Sequence, residues 1–190
     1  VLQEYAPQIL YPIPRHLARQ NLGLSDALPF QGVDLWHAYE LSWLDKSGKP
    51  VVRVGRFSVP ATSPNIVESK SFKLYLNSLN NSQFSSDEDA KGTITTDISA
   101  VAGADVTLSL YAADDPALAG ATLQGECLDE CTIEPRRGEP DAMQLEVQPG
   151  NVVEEVLYSH LLRSLCPVTG QPDWATVWLH YRGSAIMHGS

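Results

Sequence analysis

The sequence predicts an α+β protein built on antiparallel strands. Three observations lead there: alternating apolar residues flank turn residues between Asp34 and Pro60, two stretches of helical period follow, and alternation returns after Gly103. Hairpin strands on either side of two helices indicate α+β. The 190 residues suit one ordinary domain or two small ones. With 43% hydrophobic and 19% charged residues, the chain has enough apolar material for a core, which excludes a disordered protein.

The first thirty residues carry Pro7, Pro12, Pro14 and Pro29 with little periodicity, and they read as an extended surface arm rather than a core element. Between Asp34 and Asp45, residues Leu35, His37, Tyr39, Leu41 and Trp43 share one parity. Lys46-Ser47-Gly48-Lys49-Pro50 supplies turn chemistry and Val51 to Pro60 alternates again, so the pair reads as a β-hairpin. After Pro60 and Pro64 the period changes: Phe72, Tyr75, Leu76 and Leu79 predict an amphipathic helix over Ser69 to Leu79. Ser85-Ser86-Asp87-Glu88 opens a second helix, with Ile94, Ile98 and Val101 inward and Gly103 as its stop. Val106, Leu108 and Leu110 then form a strand, with Ala121 to Cys127 as its expected hairpin partner across Asp114-Asp115-Pro116. The resulting order is ββααββ.

Pro135, Gly138, Pro140, Pro149 and Gly150 crowd the next stretch, and this shift in composition sets the expected boundary between a first unit, 1–134, and a second, 135–190. The run Tyr39-Glu40-Leu41-Ser42-Trp43-Leu44, a turn, then Val51 onward is echoed by Tyr158 to Leu165, a loop, then Ala175 onward. Asn151-x-x-Glu154 fits a helix capping box, but Val156, Tyr158, His160 and Leu162 alternate, and the echo favours strand. Residues 175–183 form the last strand. A single open hairpin cannot bury its face alone, so a partner chain or further sequence is expected to cover it.

Thirteen Lys and Arg against 23 Asp and Glu leave a net charge of −10, which argues against direct binding of nucleic acid. No stretch approaches the roughly 20 apolar residues of a membrane span, and the opening residues form no secretory signal, so no membrane partner and a cytoplasmic location are expected. Cys127, Cys131 and Cys166 are too few, and odd in number, for a disulfide framework.

Two segments carry candidate chemistry. Cys166 lies in Ser164-Leu-Cys-Pro-Val-Thr-Gly-Gln-Pro-Asp173-Trp174, where a Pro-Gly loop exposes a thiol and Asp173 is available to exchange protons with the attacked group. Taken alone, a small buried cysteine beside a turn Asp fits these residues as well. Glu68-Ser69-Lys70-Ser71-Phe72-Lys73 opens the first helix, where backbone amides and two lysines suit an anionic phosphate and Glu68 suits the N–H edge of a purine-like ring. A solvated helix face explains the lysines equally. Cys127 and Cys131 with His160 offer three zinc ligands, one short of the usual four, and no metal is expected. His16, His37, His180 and His188 lack a carboxylate or cysteine at a telling spacing.

Together, ESKSFKLYLNS at Glu68 to Ser78 and SLCPVTGQPDWAT at Ser164 to Thr176 resemble the two signature segments of the QueF family, the NADPH-dependent 7-cyano-7-deazaguanine reductases. Their order, the ESK segment first, resembles the bimodular type, as do LPFQGVDLW and DLWHAYELSWL. The resemblance covers nearly the whole chain. It implies a tunnelling fold of ββααββ units with helices on one face of an antiparallel sheet, the second unit incomplete, and a homodimer. The implied reaction reduces a nitrile to a primary amine with two NADPH, on the route to queuosine in transfer RNA. By the same resemblance Cys166 is the nucleophile that forms a covalent thioimide and Asp173 is the proton donor. Val67, Glu68 and Ser69 hold the deazaguanine, and Ser69 and Lys70 meet the NADPH. The family's Glu-Phe-His-Glu and Arg-Gly-Gly segments have no counterpart in residues 1–190, so the chain is expected to be a truncated member. Two alternatives stand beside this one: a zinc-dependent cyclohydrolase of the same fold using Cys127, Cys131 and His160, and a non-catalytic purine-binding module.

Overall fold

The computed structural model describes residues 4–25, 27–132, 142–166 and 169–189, and it divides into two compact units, Val1–Ala119 and Gly120–Ser190. In the first unit, strands β2 (Val33–Leu44), β3 (Pro50–Pro60) and β5 (Thr107–Tyr111) form an antiparallel sheet in the order β2-β3-β5. Helices α2 (Ser69–Ser78) and α3 (Asp87–Ala102) cover one face of it, with Phe72, Tyr75, Leu76, Ile94 and Ile98 packing on Leu41, Trp43, Phe57 and Leu108. The class is the α+β arrangement that the sequence predicts.

Local chemistry explains both helices. Ser86 Oγ accepts from the Asp89 N–H at 3.1 Å to cap α3, and Asp87, Glu88 and Asp89 place negative charge at the positive end of its dipole. Gly103 ends the helix with φ 72°, a conformation that needs no Cβ, and one there would lie 2.6 Å from Pro64 Cγ. The apolar stripe of α2 matches the predicted positions, Leu79 forming its C-cap.

Three expectations are corrected. The arm is not confined to the surface: Ala6 and Leu10 are buried, Leu10 belongs to the core, and the arm contains β1 (Pro12–Pro14) and α1 (Arg15–Asn21). Strand β1 pairs with the short β4 (Asn65–Val67), and the Tyr5 and Tyr75 hydroxyls both donate to Asp97 Oδ2 at 2.5 and 2.6 Å. Arm proline residues thus sit at an edge ladder, where a missing N–H costs least. Second, Leu35 and Tyr39 do not share a face with Leu41 and Trp43. A bulge sets Tyr39 and Glu40 against one residue of β3, Val54, so Trp36 and Ala38 point to the core before it and Leu41 and Trp43 after it. Third, Ala121 to Cys127 is not the hairpin partner of β5. Only β6 (Glu126–Cys127) is strand, and it pairs in parallel with Leu157 and Tyr158. The first unit is therefore ββααβ preceded by β1 and α1 of the arm and with the short β4 added, and the chain divides near residue 120 rather than 134, because that pairing ties residues 120–132 to the second unit. Residues 133–141, which include Pro135, Gly138 and Pro140, lie outside those described.

The second unit is a long hairpin of β7 (Val147–Leu165) and β8 (Pro172–Ile186), with β6 on the free edge of β7. The strand reading of 156–162 and of residues 175–183 holds, and both strands run further at each end. Gly125 makes the approach of β6 feasible: at φ 120°, a Cβ there would lie 2.5 Å from the Val156 carbonyl oxygen. The echo is real in the backbone. Leu44 pairs with Pro50 beside one turn as Leu165 pairs with Pro172 beside the other. In β7 a bulge sets His160 and Leu161 against Thr176, at the same distance from the turn as Tyr39 and Glu40 in β2.

Candidate functional site

Glu68 stands at the junction of β4 and α2, where its N–H donates to Tyr11 O at 2.9 Å while the Tyr11 N–H donates to Ser71 Oγ at 3.1 Å. Its carboxylate caps α2: Oε1 accepts from the Lys70 N–H at 2.9 Å and Oε2 from the Ser71 N–H at 2.6 Å. These amide bonds hold its carboxyl below the usual carboxylate range. A carboxylate offers about four lone-pair sites, so acceptor capacity remains for a ligand's N–H groups. Val67 is buried while Ser69 and Lys70 are exposed, which puts a hydroxyl and an ammonium beside that carboxylate in solvent. Ser69 and Lys73 from α2, with Trp36, His37 and Tyr39 from β2, line a groove of about 680 Å³. The sequence signalled the acidic residue opening this helix but not its capping role, since Glu is not among the favoured N-caps.

Cys166 and Asp173 lie in the second unit, at the tip of its hairpin. The Cys166 N–H donates to Gln171 O at 2.9 Å, continuing the β7–β8 ladder past its last paired residues, and Cys166 O accepts from the Gly170 N–H at 2.8 Å. Gly170 adopts φ 68° in closing this turn. Asp173 pairs with Ser164, and directly opposed residues point to the same face. Residues two apart on a strand share a face as well, so Ser164, Cys166 and Asp173 lie on one side of the hairpin. Asp173 is exposed and Cys166 half-buried, accessible to a reactant yet partly shielded. The hairpin thus brings together the two residues that the sequence singled out, a thiol and a carboxyl on diagonal positions about 7–8 Å apart at the backbone.

The zinc alternative loses its geometry. Among the described residues no three His, Cys, Asp or Glu side chains converge on a common point. The Cys127 thiol neighbours Asp129 and Tyr158, and His160 Nδ1 lies 2.8 Å from Thr176 Oγ1. His180 and His188, in contrast, do meet carboxylates: Glu154 at 3.1 Å and Glu155 at 3.7 Å. Strand pairing brings Glu154 beside His180, and sequence spacing alone does not show it.

The first unit thus presents a carboxylate that caps a helix lying on an antiparallel sheet, and the second a hairpin with a thiol and a carboxyl near its turn. Comparison with known proteins is specific. The family model described as nitrile reductase, 7-cyano-7-deazaguanine-reductase N-term, matches residues 2–110, and the chain belongs to that family. It is 55% identical over 184 residues to the NADPH-dependent 7-cyano-7-deazaguanine reductase of Dechloromonas aromatica (strain RCB), covering 96% of this chain and 65% of that protein. It is 50% identical over 185 residues to the enzyme of the same name from Chromohalobacter salexigens, covering 97% of this chain and 66% of that protein. The chain therefore spans just under two thirds of the length of the curated relatives it matches. Among the described residues no helix is long and apolar enough to cross a membrane.

Proposed function

We propose that this chain carries the nucleophilic half of an NADPH-dependent 7-cyano-7-deazaguanine reductase, which reduces the nitrile to the aminomethyl group on the route to queuosine. The observation that supports it most is the hairpin register, since nitrile addition needs a thiol and a proton donor on the same side of the substrate. The Cys166 thiolate adds to the nitrile carbon, forming the C–S bond of a thioimide while the nitrogen takes a proton from Asp173. Glu68 accepts hydrogen bonds from the amino and ring N–H groups of the deazaguanine, with Val67 and Ser69 completing its seat. The donor set of Ser69 and Lys70, a hydroxyl and an ammonium exposed at a helix N-terminus, fits a phosphate-bearing cofactor. NADPH supplies the two hydrides that a nitrile needs to become an amine. Between them, C–S cleavage returns the electron pair to Cys166, which leaves as thiolate.

On this reading the protein works in the cytoplasm as a homodimer, on a small molecule rather than directly on nucleic acid. The free edge of β2 and the exposed Val33, Leu35 and Tyr39 support self-association, and the net charge of −10 disfavours nucleic acid. Oxidation of NADPH by the full chain, dependent on 7-cyano-7-deazaguanine and consuming two cofactors per amine, is the expected outcome. Binding of the deazapurine with no oxidation, unchanged in Cys166→Ala, would overturn it in favour of a binding module.

A further inference from the structure

The bulge in β7 decides which face of the hairpin Cys166 occupies. On its far side Ser159 pairs with Val177, and on the turn side Leu162 pairs with Ala175. Were the ladder regular, Arg163 would oppose Asp173, and Cys166 would fall on the opposite face from that carboxyl. The N–H groups of the two bulge residues are taken by a carboxylate, for His160, and by a hydroxyl bonded to that carboxylate, for Leu161. Asp129 accepts from the His160 N–H, at 3.1 Å through Oδ1 and 3.3 Å through Oδ2, and from Ser159 Oγ at 2.8 Å. Ser159 Oγ in turn accepts from the Leu161 N–H at 3.1 Å. Asp129 is itself fixed by the segment that carries it. Trp178 Nε1 donates to Gln124 O at 2.9 Å, β6 pairs with Leu157 and Tyr158, and the Leu128 N–H donates to Tyr158 O at 2.9 Å. The bonds to Ser159 and the His160 amide also hold its carboxyl low, so it remains an acceptor.

We infer that Asp129 is a positioning residue whose carboxylate holds the β7 bulge, and thereby keeps Cys166 and Asp173 on one face of the hairpin. The inference deepens the proposed reaction, and its structural half stands apart from it. Two readouts on the full chain separate the halves. In the wild type, a cross-strand backbone NOE joins Leu165 to Pro172. In Asp129→Ala it is expected to give way to one joining Ser164 to Pro172, with loss of amide-exchange protection at His160 and Leu161. Thioimide formation with 7-cyano-7-deazaguanine is expected to fall about 10²-fold at unchanged deazapurine affinity, the cost of a misplaced reacting group. Asp129→Asn keeps an acceptor oxygen and should restore most of both. Wild-type register and protection in Asp129→Ala would overturn the inference. Altered register in a protein whose wild type forms no thioimide would uphold the positioning role and contradict the proposed reaction instead. Should Asp129→Ala fail to fold, Ser159→Ala removes the bond to Asp129 and the relay to Leu161 while leaving the Asp129–His160 bonds, and is read by the same NOE and exchange signals.

Discussion

The two hairpins share a backbone plan and put it to opposite uses. Each has its bulge at the same distance from a turn closed by a Leu–Pro pair. In the first, the face toward the helices is core: Leu41 is 0% and Trp43 1% exposed. In the second, the corresponding Leu162 is 53% exposed and Ser164 stands where Trp43 does. Asp173 takes the place of Val51, and Cys166 that of Asp45, the residue that opens the first turn. Where the first hairpin packs a core, the second presents an exposed carboxyl and a half-buried thiol. A repeated backbone therefore says little about which copy carries chemistry, and the side chains at equivalent positions say a great deal.

This comparison breaks if equivalent substitutions behave alike. Trp43→Ala is expected to cost about 3–5 kcal/mol of stability by opening a cavity under α2 and α3, whereas Ser164→Ala should stay within about 0.5 kcal/mol. Chemical denaturation of both variants measures the difference. Asp173→Asn is expected to slow thioimide formation by about 10²–10⁴-fold while leaving the denaturation midpoint in place, because the side chain is exposed. Stopped-flow mixing with the nitrile reads the rate. Gly125→Ala should cost about 1–3 kcal/mol, since φ 120° is strained for any residue with a Cβ and the Val156 carbonyl blocks that Cβ. Its effect should fall on amide exchange in β6 and β7 and spare the first hairpin.

The smallest expected effect is on pH dependence. The Glu68 carboxyl is held low by the Lys70 and Ser71 amides, so its folded value lies beneath its unfolded one. Its contribution is full above the ordinary carboxylate value of about 4.3 and is lost as pH falls through the lower, folded value. Glu68→Gln should flatten part of the acid side of a Tm-against-pH curve. Asp45, Asp89 and Asp129 are lowered in the same sense and keep the rest of the slope.

Much of the first unit was legible because its signals are local. Phe72, Tyr75, Leu76 and Leu79 set the period of α2, and Ser86 and Gly103 bound α3. What escaped reading depends on partners distant in sequence. The bulge at Tyr39 and Glu40 changes the inward parity without a Gly or Pro to mark it. Leu10 enters the core because the arm pairs with residues 65–67. Glu126 and Cys127 pair with Leu157 and Tyr158 in parallel, which no turn signal announces. At the site, Cys166 and Asp173 were visible as a thiol and a carboxyl in one loop, but their common face follows from a register that Asp129 supports from outside that loop.

The central claim is that the second hairpin presents a nucleophile. Intact-protein mass spectrometry with 7-cyano-7-deazaguanine and no NADPH, on the wild type and Cys166→Ala, tests it most directly. The expected result is a mass gain equal to one substrate molecule in the wild type and none in the variant. An equal gain in both, or no gain in the wild type, would contradict the claim.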